Sequence, residues 1–243
     1  MLNRKKTIEL YDLGTVSYQP TWDLQHKVQQ SIIEEKRAEQ KGEFDGVRKN
    51  DALLFVEHPH IYTLGKSGEE EHMLRSMAEL LKLDAEFVKT NRGGDITYHG
   101  LGQIVGYPIL DLDRHFTDIH KYLRYLEEVI IGVCKDYGFD AGRIDGLTGV
   151  WIGEEKIAAM GIRCSRWVTM HGFAFNVNTD LSYFNHIVPC GISDKAVTSL
   201  QNLMGKQMDT QEVKERIVFH FEDVFKTRIK PHGGQQELEK NFL

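Results

Sequence analysis

Two side chains in the stretch 148–192, Lys156 and Cys190, have the chemistry of an activated nucleophile. Cys190 stands between Pro189 and Gly191, one restricting φ and the other leaving the backbone permissive, so the thiol is expected on a sharp bend. A free cysteine titrates near ~8.5, and at neutral pH only a few per cent is the nucleophilic thiolate. A neighbouring ammonium favours the anion and lowers that value. Lys156 follows a Gly-Glu-Glu turn and opens an extended run of small residues, so it is the candidate ammonium. The plainer reading of such a pair is a buried structural thiol and a solvated lysine, since free cysteines are among the most buried residue types. The choice between the two turns on the surrounding motifs.

The run Arg92 to Gln103, RGGDITYHGLGQ, is the second chemically informative stretch. Gly93 and Gly94 let backbone approach a ligand closely, Arg92 supplies a cation, and Gly100 and Gly102 bracket a turn that presents His99. It is not a dinucleotide fingerprint, because Gly106 falls one position late. Gly65-Lys66-Ser67 imitates the end of a phosphate loop, but His60 occupies the place of the first glycine. Eleven histidines invite a metal reading, yet none has the spacing of a zinc site, so no metal is expected. In VTMHGFAFNV (168–177), Phe173, Phe175 and Val177 share one strand face, and Gly172 and Ala174 make the other face small. Such a face packs against a helix or leaves room for an acyl chain.

These residues must be positioned by a mixed set of elements. Strands are expected at 7–13, 52–57, 61–64, 86–89, 95–99, 103–110, 148–152, 156–165, 168–177 and 196–200, with a loop through 180–195. Helices are expected at 20–40, 76–83, 118–137 and from Asp209, where Asp209 and Glu212 form a capping-box pattern. The helix at 118–137 is the clearest, with Ile119, Leu123, Leu126, Ile130 and Val133 on one stripe. Grouped strands between helices indicate an α/β (α+β) mixed-sheet domain over 1–229. The Gly- and Gln-rich segment 230–243 is expected as a mobile polar tail. The net charge of −6 on 243 residues marks no nucleic-acid binder. Three cysteines without C-x-x-C spacing point to a reducing cytoplasm, and no apolar run reaches membrane-spanning length.

Four motifs in order, R-G-G-x-x-T-Y-H-G-x-G-Q, K-I-A-A-x-G-I-R, G-F-A-x-N-V-N and I-V-P-C-G-I, closely resemble the octanoyltransferases, also called lipoyl(octanoyl) transferases, of the lipoate-protein ligase B family. The resemblance covers about 7–205. It implies the catalytic-domain fold shared by biotin and lipoate protein ligases. It also implies transfer of octanoyl from acyl carrier protein to a lysine of lipoyl domains, in 2-oxoacid dehydrogenases and the glycine-cleavage H protein. Cys190 is then the acyl-thioester nucleophile, and Lys156 lowers its pKa. The substrate site is Arg92, Gly93, Gly94, Asp95, Ile96, Thr97, Tyr98 and His99, with Ala159, Met160 and Gly161, and with Gly172, Phe173 and Ala174. No cofactor is expected, and the protein is expected to be a cytoplasmic monomer. Two positions depart from the pattern: Leu101 and His60 stand where the family usually carries proline. An ATP-dependent ligase on the same fold, a thioesterase and a non-catalytic lipoyl-domain binder remain open alternatives at this point.

Overall fold

The computed structural model describes residues 6–188 and 196–243. β1 (Lys6–Thr15) leads into α1 (Tyr18–Lys41), whose buried stripe includes Leu24, Val28 and Ile32 and whose end is closed by Gly42 at φ 72°. β2 (Asp51–Glu57) and β3 (Ile61–Leu64) flank the His58-Pro59-His60 turn. α2 (Met77–Lys82), held by reciprocal Ser76–Glu79 capping bonds, precedes β4 (Glu86–Lys89) and β5 (Ile96–His99). Next come β6 (Gln103–Ile109), α3 (Ile119–Asp136), β7 (Ala141–Gly142), β8 (Val150–Ile152), β9 (Glu155–Ser165) and β10 (Val168–Asn176). α4 (Leu200–Met204), α5 (Thr210–Phe225), β11 (Thr227–Gly233) and α6 (Gln235–Phe242) follow.

Eight strands form one sheet in the order β11-β1-β2-β6-β10-β9-β8-β7, and β4-β3-β5 form a second. β1 is parallel to both β2 and β11, while the pairs from β2 to β7 are antiparallel. The central strands β2, β6 and β10 are buried on both faces, as strands covered by helices on each side must be. On one face α3 and α5 pack over Phe173, Phe175 and Ile104. On the other, α1 and α6 pack over Tyr107, Ala174 and Val105. The alternation expected along 168–177 is therefore the alternation between these two cores. The small sheet has its own core of Tyr62, Leu64, Leu80, Ile96, Tyr98 and Ile187.

Two expected elements differ. The segment expected as a strand at 196–200 makes a single parallel bridge, Val197 to Lys156, and then enters α4, because Ser199 caps that helix through Asn202 N–H. Residues 181–186, expected as loop, form a 3₁₀ turn started by Asp180. The expected mobile tail from residue 230 is also corrected. β11 runs across residue 229 and pairs with β1, and α6 buries Leu238 and Phe242. Alternation of apolar and polar residues in Thr227–Ile229 is too short to announce a strand; an edge more than 200 residues away supplies its partner.

Candidate active site

A cavity of about 530 Å³ lies between the large sheet, on the face that α1 covers, and the loop joining β4 to β5. Its floor is the paired small residues of two strands: Ala159 opposite Ala174, and Gly161 opposite Gly172. Gly161 lets the loop come close: a Cβ there would lie 3.0 Å from Arg92 Cδ and from the Gly93 carbonyl oxygen, tighter than ordinary contact. The glycine loop thereby docks directly on β9, and Gly93 N–H donates to the Ile162 carbonyl at 2.8 Å. Arg92 is buried and donates through Nε and Nη2 to Thr63 Oγ1, through Nη2 also to the Thr63 carbonyl, and through Nη1 to the Gly93 carbonyl. Its charge is thus tied into the wall.

Of the expected site residues in the first run, Arg92 to Thr97 and His99 border the cavity. Tyr98 does not, because strand alternation turns it into the small core, where its hydroxyl lies 2.7 Å from His60 Nδ1. This explains His60, whose ring also stacks on Tyr183 at 4.2 Å, contacts that a proline could not supply. Ala159, Met160, Gly161, Gly172, Phe173 and Ala174 all border the cavity, although Met160 and Phe173 belong as well to the core under α3. Lys156, 9% exposed, opens into the cavity from β9. Cys190 lies outside the described residues.

A hydrogen-bond chain ties two of the sequence motifs to the backbone of Lys156, which belongs to a third. The imidazole of His99 is buried, which pulls its pKa down to about 3, so the ring is neutral. Its Nδ1–H donates to Gln103 Oε1 at 2.8 Å, because that oxygen can only accept. Gln103 Nε2 donates to Asn176 Oδ1 at 2.9 Å, and Asn176 Nδ2 donates to the Thr198 carbonyl at 3.1 Å. Thr198 N–H donates to the Lys156 carbonyl at 3.0 Å, and Lys156 N–H donates to the Ala196 carbonyl at 2.9 Å. The backbone that carries Lys156 is therefore hydrogen-bonded to the segment that follows Cys190 in the chain.

Several cavity residues had no signal in the sequence. Gly146 and Leu147 have no periodicity and reach the cavity only through the β7–β8 connection. Tyr18 falls just before the helix expected at 20–40, yet it begins α1 and stacks near His99 at 6.0 Å. His171 adopts φ 59° inside β10, unusual for a non-glycine residue. Its N–H donates to Gln25 Oε1, and its Nε2–H donates to Asn91 Oδ1 at 2.8 Å. Burial brings its pKa down to about 3, which leaves Nδ1 as an acceptor that no protein group among the described residues satisfies. Such an inversion in a central strand is the kind of strain that clusters at binding sites.

The arrangement offers a largely apolar slot with a buried lysine at its wall and the neutral imidazoles of His99 and His171 beside it, while His72, also at the cavity, is paired with Asp95 at 2.7 Å, which raises its pKa. No group of three metal-binding side chains occurs among the described residues. No described helix is long and apolar enough to cross a membrane.

The sequence model of the lipoyl protein ligase A/B catalytic domain matches residues 17–222. The octanoyltransferase of Cytophaga hutchinsonii is 52% identical over 235 residues, which cover 94% of this chain and 96% of that protein. The octanoyltransferase of Flavobacterium johnsoniae is 53% identical over 230 residues, covering 92% and 99%. Among solved structures, the bi-partite lipoate protein ligase of Thermoplasma acidophilum matches with a TM-score of 0.71 at 17% identity, over 98% of this chain and 90% of that one. A lipoate-protein ligase A bound with ATP matches with a TM-score of 0.70 at 15% identity, over 97% and 92%. At these identities the solved structures speak for the fold alone, which is that of the lipoate protein ligase catalytic domain.

Proposed function

The chain belongs to the octanoyltransferases of the lipoyl protein ligase A/B family, and from that premise we propose that it moves an octanoyl group from acyl carrier protein to a lysine of lipoyl domains through a thioester on Cys190. The observation that carries the reading is the placement of Lys156. It is buried in the wall of a cavity floored by Ala159, Gly161, Gly172 and Ala174, where small side chains leave space for a hydrocarbon chain. Each methylene buried there contributes ~0.8 kcal/mol, so an eight-carbon chain is held by the slot without any polar group of its own.

In the proposed mechanism the Cys190 thiolate attacks the carbonyl carbon of the carrier-bound thioester. A carbon–sulfur bond forms to Cys190 as the bond to the carrier sulfur breaks, and Lys156 gives its proton to the departing thiolate. One thioester replaces another, so the step is near balance and no nucleotide is consumed. The acceptor lysine, having lost one proton to solvent, then attacks the acyl carbon. Its carbon–nitrogen bond forms, the Cys190 thiolate leaves, and the second proton of the attacking nitrogen goes to neutral Lys156. The starting ion pair is restored. An acceptor amine that titrates near ~10.4 is neutral in only roughly one molecule in 2,500 at neutral pH, so each attack must be carried through, and a buried base that takes the second proton makes the new carbon–nitrogen bond permanent.

Intact mass spectrometry with octanoyl-carrier and no acceptor tests the reading. The wild-type chain should gain one octanoyl group, and Cys190→Ser should gain none. Adding a lipoyl domain without ATP should discharge the adduct onto that domain. Transfer that requires ATP and a free acid would instead identify an adenylating ligase. Label retained by Cys190→Ser would remove the nucleophile assignment.

A further inference from the structure

Lys156 runs through a slot with two walls. On one side the indole of Trp151, buried to 3% exposure, lies with its ring centroid 4.6 Å from Lys156 Nζ. The two residues are cross-strand partners of β8 and β9, and the register shifts between Val150 and Trp151, just where this pairing is set. On the other side is Gly149, at φ 126°. A Cβ there would lie 2.7 Å from the Ala158 carbonyl oxygen and 3.2 Å from Lys156 Cε, so only bare backbone lets the lysine stem pass. Gly149 is held in turn: its N–H donates at 3.0 Å to Oε1 of Glu127, a fully buried carboxylate of α3. Glu127 Oε2 is paired with Arg124 and Arg143, each at 2.7 Å, so its charge is compensated.

We propose that Trp151 is a positioning residue for the lysine of the transfer reaction: its indole face, opposed by the Gly149 backbone, holds the Lys156 ammonium in the cavity wall. The proposal rests on the reading of Lys156 as a catalytic group. A tryptophan face attracts a cation through the negative charge density of the ring, and the attraction is strongest where water is excluded. At this site the indole acts on Lys156 in two ways. It restricts a four-carbon stem that would otherwise sample many rotamers, and its ring face attracts the ammonium electrostatically. Both effects support the state in which Lys156 stabilises a thiolate.

Replacing the indole with a smaller side chain would confuse packing with electrostatics. Fluorination leaves the shape nearly unchanged and withdraws the charge density of the face. The experiment therefore places 5-fluoro-, 5,7-difluoro- and 4,5,6,7-tetrafluorotryptophan at position 151 of the full chain. Octanoyl transfer is followed as a function of pH, and the Lys156 side chain is followed by NMR. With each added fluorine, kcat should fall while KM holds, reaching about tenfold for the tetrafluoro variant. The ring-current displacement of the Lys156 Cε proton signals should shrink over the same series, as the ammonium is released from the ring face. Unchanged Lys156 signals and unchanged kcat across the series would overturn the proposal and leave Trp151 as a space-filling side chain. The two readings separate cleanly. A wild-type chain that does not transfer octanoyl, with Lys156 signals that still follow fluorination, loses the function and keeps the cation–ring contact. Transfer in the wild type with Lys156 signals indifferent to fluorine does the reverse.

Discussion

The chemistry assigned to Lys156 separates into charge and proton transfer, and substitution distinguishes them. Lys156→Ala removes the cation, so alkylation of Cys190 by a small reagent should slow near neutral pH, with its pH profile displaced upward. Lys156→Arg keeps a cation but cannot accept a proton, so alkylation should persist while octanoyl transfer falls about a hundredfold. An arginine variant that transfers as well as wild type would leave lysine an electrostatic role only. Ala174 provides the corresponding test for the acyl slot, since it is buried, faces the cavity and pairs with Ala159. A methylene distinguishes neighbouring chain lengths only weakly, so the upper limit of length is set by exclusion. Ala174→Leu should reduce octanoyl transfer at least about tenfold and shift competition among mixed acyl-carriers toward shorter chains. Cys190 should stay reactive to a small alkylating agent. A wild-type length profile in this variant would move the chain to another part of the cavity.

Among the elements, the C-terminal strand and helix depart furthest from their expected character. β11 extends the parallel edge beside β1, and α6 closes over it through Leu238, Phe242 and Asn241, whose Nδ2 donates to Tyr11 Oη at 2.8 Å. Tyr11, fully buried on β1, contacts both the Phe242 and the His232 rings. The unit therefore covers an edge that would otherwise present unpaired backbone. Phe242→Ala should lower the unfolding free energy by about 3 kcal/mol in urea titrations, as large-to-small substitutions in buried aromatic sites do. Octanoyl transfer at low temperature should persist, because no residue of α6 borders the cavity. A loss below about 0.5 kcal/mol would show that α6 lies loosely on the sheet.

For the whole molecule, folding keeps three buried imidazoles neutral: His99 and His171 at the cavity, and His58 packed beside His99. Burial lowers the pKa of His58 to about 4, and those of His99 and His171 to about 3, against about 6.5 in an unfolded chain. Between those values the unfolded chain binds more protons than the folded one, so stability rises with pH through this window. The contribution is complete above about pH 6.5 and is lost progressively as pH falls toward 4. Urea midpoints measured from pH 7 to pH 4.5 should therefore drop steeply. In His58→Gln the slope should be shallower by about one proton, even though that variant loses the 2.8 Å contact with Tyr107 and starts less stable. An identical slope in the variant would mean that His58 is already charged in the folded protein.

The sequence by itself determined most of the elements before residue 180 and the chemistry carried within single runs. The stripe of α3, the alternation of Phe173 and Phe175 against Gly172 and Ala174, and the glycine loop after Arg92 are local patterns. Periods of 3.6 and 2 express them without reference to the rest of the chain. The four motifs were legible for the same reason, since each is contiguous. Tertiary structure decided which of those residues meet. It turned Tyr98 away from the cavity, brought the patternless Gly146 and Leu147 into its wall, and supplied β11 with a partner strand more than 200 residues distant. It also set the Trp151 ring against Lys156 through a register shift in a three-residue strand. Contacts between residues far apart in sequence form only when the sheet closes, and their energy depends on register and face. One residue of slip reverses both, so no local pattern can encode them.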